Sequence, residues 1–489
     1  MKHKKWISAF LALSVSISSC SIFNTIFTEK NTFSVYAEDT EKTYQNLFYT
    51  VSDNKIEITG CTDDTQELVI PESIDGINVT SVKRYAFADN QNIKSVSLPG
   101  TLTYIDDAAF QNCTALTSFE MPDSLTQIGN KLLMGCTGIT SVKISKSLNN
   151  IMEYTFADTA IESVEIPEGV IHIGSGCFLN TPLKNVNLPS SAATIGIDAF
   201  KNCSQLESIN LEGISQIEGG AFTDCEKLEK ITLCPKMTKL DCNFSGCSSL
   251  EEIIIPEGVK QINGIINCES LEYVYLPSTL TAVYNGFSNC PKLKTVEFAD
   301  QRTYWTFQVS FSGCTSLEEF IFPTGVDEVR DNMFTGCSNL EYVELTGQIT
   351  AIGRNAFADC PELDYIFIPD SVTSIDSTAF GYVKDETGNY VKSDKDIIII
   401  TESENSAAAD FAKENGFTSV SADSIHLGDL DFNQVLDARD ITAMKQYLMG
   451  VKKAGAVHEA AGDINGDGSF DVFDLSAFKY IALLVTDLD

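Results

Sequence analysis

The sequence predicts a solenoid built on parallel β-strands, followed by a small α-helical domain. Two patterns carry this prediction. One apolar unit recurs every 21 to 24 residues over most of the chain, and two acidic loops near the C-terminus are each followed by a helical pattern. The 489 residues also exceed what one compact core usually holds, which favours several domains or an extended repeat architecture.

The composition is that of a folded, strongly acidic protein. Hydrophobic residues make up 43% of the chain and aromatic residues 10%, which is enough to build a core. The 68 acidic residues outnumber the 33 basic ones and leave a formal net charge of -35. A surface of this sign repels phosphate backbones, so nucleic acid is not an expected partner.

The N-terminal residues 1–37 have the pattern of a secretory signal peptide. Basic residues in Met1–Lys5 precede the apolar run Trp6–Ile17, and small residues before the cleavage position favour processing after Ala37. A competing interpretation takes Cys20 as the lipidated residue of a lipoprotein. No other apolar run approaches the length of a membrane span, so we expect a secreted protein with no membrane span.

The repeat unit reads L-x-x-V/I-x-I/L-P, then a short variable stretch, then V/L-x-x-I-x-x-x-A-F. Each unit contains a strand such as Ser163–Pro167, in which alternate residues point inward. One turn cannot bury its own apolar side, so the turns must stack into a common core. The final aromatic or aliphatic position, here called the anchor, marks about fourteen turns: Phe87, Phe110, Leu133, Phe156, Phe178, Phe200, Phe222, Phe244, Ile265, Phe287, Phe311, Phe334, Phe357 and Phe380.

A cysteine stands three residues after ten of the fourteen anchors. A metal or redox site is one interpretation of so many thiols, and a buried column is the other. Stacked turns in register would place every thiol inward, where free cysteine behaves as a small hydrophobe, so we expect the column. Its members are Cys113, Cys136, Cys203, Cys225, Cys247, Cys268, Cys290, Cys314, Cys337 and Cys360.

This unit resembles the BspA-like subclass of bacterial leucine-rich repeats over roughly Val79–Val383. The resemblance implies a leucine-rich repeat solenoid, a strand-rich, horseshoe-like α/β fold with a parallel sheet. Solenoids need end covers, since their terminal turns would otherwise expose core. The predicted covers are strands within Phe48–Gly60 and Leu68–Pro71 at the start, and the strand Ile397–Thr401 with the helix Ser406–Gly416 at the end.

The repeats leave no room for an inserted catalytic domain, because no interval between anchors exceeds 24 residues. The chain has only four histidines, scattered along it, which disfavours a histidine-based triad or a zinc cluster. We therefore expect that the protein is not an enzyme. With so many acidic residues, counting alone does not exclude a pair of carboxylates that catalyses glycoside hydrolysis.

The outward positions of the repeat strands change from small and polar to aromatic along the chain. Exposed aromatics in rows can stack on sugar rings or anchor a protein partner. Ordinary cross-strand pairing explains the same residues about equally well. The candidate ligand face consists of Ile254, Tyr273, Tyr275, Ile321, Tyr342, Tyr365 and Phe367.

Two twelve-residue acidic loops, Asp429–Asp440 and Asp463–Asp474, start 34 residues apart. Each supplies oxygen-bearing side chains at positions 1, 3, 5, 9 and 12 and a backbone carbonyl at position 7. Hard oxygen ligands at alternate positions of such a loop suit Ca²⁺, so we predict two calcium ions. The predicted ligands are Asp429, Asp431, Asn433, Val435, Asp437 and Asp440 in the first loop, and Asp463, Asn465, Asp467, Ser469, Asp471 and Asp474 in the second.

The two loops are not equivalent at position 6. Gly468 gives the second loop the sharp turn that such sites need, whereas the first loop has Gln434 there. We therefore expect the first loop to be strained or to bind calcium more weakly.

Both loops end in aspartate, and each is followed by only one helix, a combination that resembles type I dockerins over roughly Leu427–Val485. The resemblance implies a small all-α domain with two calcium loop-helix motifs that docks calcium-dependently onto a cohesin domain of a scaffoldin, as in cellulosomes. In that family, partner choice is determined by the residues at loop positions 10 and 11 and on the following helix. These positions are Ala438, Arg439, Lys445 and Gln446 in the first copy and Val472, Phe473, Lys479 and Tyr480 in the second.

The predicted organisation is a signal peptide (1–37), N-terminal cap strands (38–78), leucine-rich repeats (79–383), a C-terminal cap with a short linker (384–424) and a dockerin (425–489). The first functional hypothesis is a secreted, non-catalytic cellulosome component whose repeats bind a protein or glycan partner. The alternatives are a dockerin-borne polysaccharide hydrolase and a cell-surface adhesin anchored through a cohesin. The ligand of the repeats is set by outward positions that vary between turns. The sequence therefore does not separate a cellulosome binding component from an adhesin.

Overall fold

The computed structural model describes residues 40–241, 244–299, 306–345, 348–436, 438–450, 456–464, 468–475 and 477–478. The predicted signal peptide and Cys20 lie outside these residues. In the part of the chain that is described, no helix is long and apolar enough to cross a membrane.

The chain begins with an antiparallel cover. Strands Lys42–Tyr44, Leu47–Ser52 and Lys55–Cys61 pair in sequence order, and Lys55–Cys61 then pairs in parallel with Ile77–Val82. A short strand, Ser73–Ile74, turns back on Ile77–Val82. Side chains alternate along Lys55–Cys61, with Ile56 and Ile58 buried, so this hairpin covers the end of the core.

One row of parallel strands, here called the front sheet, comes mainly from the L-x-x-V/I-x-I/L-P segments and is hydrogen-bonded in five successive groups. In Ser163–Glu165 the two ends are exposed and Ile166 is buried just beyond, as the period-2 pattern requires. The row comprises Glu67–Val69, Ser95–Ser97, Ser118–Glu120, Ser141–Lys143, Ser163–Glu165, Asn185–Asn187, Ser208–Ile209, Glu252–Ile254, Tyr273–Leu276, Thr295–Phe298, Glu319–Ile321, Tyr342–Glu344, Tyr365–Ile368, Ile398–Thr401 and Ser419–Ser421.

A second row of parallel strands, the back sheet, comes from the segment just before each anchor. Its strands are mostly two residues long, and most of them carry a buried isoleucine, valine or leucine. After Ile77–Val82, the row comprises Tyr104–Ile105, Gln127–Ile128, Asn150–Ile151, His172–Ile173, Thr194–Ile195, Gln216–Ile217, Lys239–Leu240, Gln261–Asn263, Ala282–Tyr284, Thr306–Gln308, Glu328–Val329, Ala351–Ile352 and Ser374–Ile375.

Turns rather than helices form the third side of each described repeat. The anchor amide donates to a carbonyl of the following turn, as Phe178 does to Ala199 at 2.8 Å and Phe200 to Ala221 at 2.9 Å. Two residues after the anchor, asparagine or aspartate often takes a left-handed conformation, with φ 58 at Asn180 and 59 at Asn202. Asn202 also donates to Asn180 at 2.7 Å, so side-chain bonds reinforce the stacking.

The anchors form the centre of one continuous core. Every anchor from Phe87 to Phe380 is buried, and adjacent phenyl rings stack, for example Phe178 on Phe200 at 5.4 Å and Phe200 on Phe222 at 5.5 Å between centroids. Burying one such side chain contributes about 1.5–3 kcal/mol, so the stack is a main source of stability. The predicted repeat positions are confirmed as core positions.

The ten predicted column cysteines are buried and free. Each thiol lies against the backbone carbonyl of the anchor in the turn before its own. Cys225 contacts the Phe200 carbonyl at 3.2 Å, and Cys247 contacts the Phe222 carbonyl at 3.1 Å. A cysteine therefore fills a small gap and also caps a buried carbonyl.

The C-terminal end of the solenoid is covered by a hairpin, strands and helix α1. Strands Tyr382–Lys384 and Tyr390–Lys392 form the antiparallel hairpin. Helix α1 (Ala407–Asn415) begins after Ser406, whose hydroxyl accepts from the Ala409 amide, and ends at Gly416 in a left-handed conformation. Its buried face, including Phe411, packs on the last anchor, Phe380, at 5.9 Å between ring centroids.

Among the described residues, two helices with both ends defined follow the last front-sheet strand, Ser419–Ser421, after one 3₁₀ turn at Ala422–Ser424. They are α2 (Ala438–Leu448) and α3 (Ala456–Gly462). This C-terminal helical domain has its own small core, in which Leu430, Met444, Ala461 and Phe478 are buried. Glycine is required at 428, where a Cβ would lie 2.7 Å from the Phe478 ring. The two loop-helix motifs thereby close against each other.

Candidate calcium sites and docking surfaces

The first acidic loop brings three carboxylates together before helix α2. Oxygens of Asp429, Asp431 and Asp440 all lie within 4.8 Å of one another, and Asp429 and Asp440 are fully buried. The Asp440 carboxylate accepts from the amides of Leu430 at 2.9 Å and Asp431 at 3.2 Å, which ties the end of the loop to its start.

Burial and mutual repulsion disfavour the charged form of the Asp429 carboxylate. The pKa of Asp429 is raised, mainly by burial and further by the charges of Asp440 and Asp431. Arg439 approaches Asp431 only at 3.8 Å, with a side chain that is itself 68% exposed. Crowded, buried carboxylate oxygens are the donor set that a hard divalent cation requires, so these residues fit Ca²⁺.

Both loops bend in the same way at position 6. The Gln434 amide donates to Asp429 Oδ2 at 2.9 Å, and the Gly468 amide donates to Asp463 Oδ2 at 2.9 Å. Both residues have positive φ, 65 at Gln434 and 84 at Gly468. A glutamine in this region is strained whereas a glycine is not, which supports the expected difference between the loops.

In the described part of the second loop, Asp474 is the carboxylate that is fully buried, while Asp463 and Asp471 are half-buried. The Asp474 Oδ2 accepts from the Asp471 amide at 2.8 Å. Three of the predicted ligands, Asp437, Asn465 and Asp467, lie outside the described residues.

The predicted partner-reading positions differ in exposure. Val472 and Phe473 are 60% and 67% exposed, an unusual amount for adjacent large apolar side chains. Arg439 and Lys445 are exposed and Gln446 is half-buried. Ala438 begins helix α2, while Lys479 and Tyr480 lie outside the described residues.

The candidate ligand face on the front sheet divides into two parts. Ile254 and Ile321 are exposed, at 52% and 43%, and Tyr273 and Tyr275 are half-buried on the strand that pairs with that of Ile254. Tyr273 donates its hydroxyl to Glu297 at 2.6 Å, and burial together with this contact raises its pKa to about 12.

The other part of the face, Tyr342, Tyr365 and Phe367, lies beside the C-terminal helical domain. The Tyr365 ring contacts Phe432 of the first acidic loop at 5.4 Å and His458 of α3 at 4.8 Å between centroids. These three residues and the domain also line a largely apolar cavity of about 370 Å³, with Ile425, Leu427 and Ala461 on the domain side.

Sequence comparison identifies the repeats. The profile of the BspA type leucine-rich repeat region matches six copies over residues 61–182, 171–293 and 265–387, which together exceed half of the chain. The chain belongs to the BspA-type leucine-rich repeat family. The predicted parallel-sheet solenoid of leucine-rich repeat type is therefore confirmed.

A second profile, the dockerin type I domain, matches residues 427–480. The C-terminal helical domain of this BspA-type protein is thus a type I dockerin, and domains of that type bind calcium. A dockerin also implies a cohesin partner. Neither matched domain type is catalytic.

Solved bacterial leucine-rich repeat proteins resemble this chain. A leucine-rich repeat protein from Bacteroides ovatus ATCC 8483 is 25% identical, with a TM-score of 0.56, and the match covers 67% of this chain and 94% of that protein. A leucine rich cell surface protein from Faecalibacterium prausnitzii A2-165 is also 25% identical, with a TM-score of 0.46, covering 69% of this chain and 94% of that one. No curated protein matches the chain.

The contact between the dockerin and the repeats was missed at the level of sequence. One signal for it exists, since position 4 of the first loop is Phe432 whereas the same position of the second loop is Gly466. A large aromatic side chain in a loop of carboxylates needs an apolar partner, and Tyr365 supplies it.

Proposed function

We propose that this protein is a secreted, non-catalytic component of a cellulosome-type assembly. Its dockerin binds two calcium ions and docks onto a cohesin of a scaffoldin, and its repeats bind a protein or glycan partner during polysaccharide degradation or adhesion. The observation that carries the proposal is the pair of acidic loops, one of which presents the exposed apolar pair Val472 and Phe473.

The cohesin face belongs to the second loop-helix copy. Val472 and Phe473 occupy loop positions 10 and 11, directly before the buried ligand Asp474. Calcium at this loop would hold the two side chains outward, because the ligands on both sides of the pair face the ion. Clustered exposed apolar residues of this size are typical of the energetic centre of a protein interface.

Replacing Val472 and Phe473 together with serine tests this assignment. We expect cohesin binding, measured by isothermal titration calorimetry in calcium, to weaken by at least about 30-fold, the equivalent of ~2 kcal/mol from an interface centre. The matched control replaces Ala438 and Arg439, at the same positions of the first copy, with serine and should bind almost as the wild type does. Equal losses for both pairs, or no loss for Val472 and Phe473, would rule the assignment out.

A further inference from the structure

The dockerin packs on its own solenoid through residues of the first calcium loop and its neighbours. Phe432 and His458 are only 2% and 1% exposed. Their rings lie 4.6 Å apart between centroids, and both contact Tyr365 on the front sheet. Both side chains therefore lie in a contact between two domains of one chain, and the Tyr365 ring covers part of each.

Helix α2 adds a fourth aromatic side chain to this contact. The Tyr447 hydroxyl lies near that of Tyr365, and the Tyr447 ring lies 4.7 Å from His458 between centroids. Burial raises the pKa of Tyr447 to about 12 and also raises that of Tyr365, so both phenols stay neutral at neutral pH. The contact is thus an aromatic cluster of four rings with two phenol groups at its edge.

The second loop-helix copy lacks the residue that makes this contact. Position 4 of its loop is Gly466, where the first loop has Phe432. Its own large apolar residues, Val472 and Phe473, stay exposed while the first copy is seated on the solenoid. The two copies of the dockerin therefore have different surroundings.

The contact is also tied to the first calcium site. Phe432 stands between the predicted ligands Asp431 and Asn433 and has a left-handed backbone, with φ 55. This conformation is uncommon for a phenylalanine and depends on the surrounding loop. An ion that orders the loop would therefore also hold the Phe432 ring against Tyr365.

We propose that the first calcium loop fastens the dockerin to the front sheet of its own solenoid, through Phe432, His458 and Tyr447 around Tyr365. Only the second loop-helix copy is then open to a cohesin. This inference rests on the proposed function for the identity of the outside partner. It assigns separate tasks to the two calcium sites, one within the chain and one between chains.

Carbethoxylation of histidine in the mature chain, read by mass spectrometry, tests the contact directly. His458 is buried at the contact, whereas His426 is exposed and serves as the internal control. In calcium, we expect the wild type to react at His426 and to protect His458. Saturation with a type I cohesin should leave this pattern unchanged, because the cohesin uses the other copy.

Two variants release the contact from opposite sides. Phe432→Gly copies the residue of the second loop and suits the left-handed backbone, so it should keep calcium bound. Tyr365→Ser leaves the dockerin sequence intact. Both should raise the reaction rate of His458 several-fold without changing calcium stoichiometry or cohesin affinity. Leu436→Gly, an exposed position of the same loop, is the matched control and should leave His458 protected.

Three results would overturn the inference. They are a wild-type His458 that reacts as fast as His426 in calcium, continued protection of His458 in both Phe432→Gly and Tyr365→Ser, and exposure of His458 when a cohesin binds. A wild-type chain that binds no type I cohesin would instead overturn the proposed function, and the His458 pattern would still report on the contact independently.

Discussion

Gln434 and Gly468 show how one residue can separate two otherwise similar metal loops. Both amides bind the carboxylate at position 1 of their loop, and both need a left-handed backbone to do so. Glycine takes this conformation freely, while a residue with a Cβ loses about 1 kcal/mol or more. The first loop keeps the geometry of the second at the expense of backbone strain.

Gln434→Gly should therefore strengthen calcium binding at the first loop. Removing about 1 kcal/mol of strain corresponds to roughly five-fold tighter binding, because the strain is present only in the ordered loop. Calcium titration by calorimetry would measure the gain, and Gly468→Gln should weaken the second site by a similar factor. Unchanged affinities in both variants would mean that position 6 does not set the difference between the loops.

The cysteine column is explained at the same scale. Burial raises the pKa of the Cys203 thiol to about 11 and that of Cys247 to about 12. Reactive and metal-binding cysteines act as thiolates, and thiols in these surroundings remain protonated at neutral pH. The inward direction of the thiols was predictable from the period of the repeat. Their hydrogen bond to the anchor carbonyl of the preceding turn was not, since it depends on the backbone of two adjacent turns.

At the scale of the element, the anchor stack links each turn to the next. Phe200 is fully buried, with stacked rings on both sides at 5.4 and 5.5 Å. The chain itself accepts Leu133 and Ile265 at the anchor position, where both are buried. The position therefore requires a large apolar side chain, and the aromatic ring adds stacking.

Phe200→Ala should lower the free energy of unfolding of the solenoid by about 3–5 kcal/mol, because a cavity opens inside a tightly packed core. Phe200→Leu, which copies the chain's own Leu133, should lose much less. Denaturant unfolding followed by circular dichroism would compare the two. A loss for leucine as large as that for alanine would show that stacking, rather than volume, dominates at the anchor.

The front sheet of the later turns is the candidate surface for the ligand of the repeats. Tyr273 and Tyr275 lie on its open part, away from the described dockerin contact. Replacing both with serine should reduce binding to plant polysaccharides or secreted proteins, because stacking and apolar contact are lost. Asn185 and Asn187, at the same positions of an earlier turn, give the matched serine control. Binding that survives in the Tyr273 and Tyr275 variant would exclude this surface.

At the scale of the whole molecule, the sequence predicted features with a local pattern and left out a contact between distant parts of the chain. Phe87 to Phe380 could be placed because the same local pattern recurs with each turn. The two acidic loops could be placed for the same reason, since alternate oxygen ligands are a local pattern. The contact of Phe432 and His458 with Tyr365 joins residues far apart in the chain, and no periodicity points to it.

The dockerin is the part of the molecule whose fold should depend on calcium. Without the ion, the carboxylates of Asp429, Asp431 and Asp440 repel one another in a buried site, so the dockerin should lose order. The solenoid core is built from apolar stacking and backbone ladders and does not depend on these loops. Removal of calcium should therefore release the dockerin from its cohesin while the solenoid stays folded.

Titration of the mature chain with type I cohesins, in calcium and then in chelator, tests the central claim most directly. We predict stoichiometric binding in calcium and none in chelator, with the solenoid folded in both conditions. Binding that persists in chelator, or a calcium-loaded chain that binds no type I cohesin, would contradict attachment through a calcium-dependent dockerin.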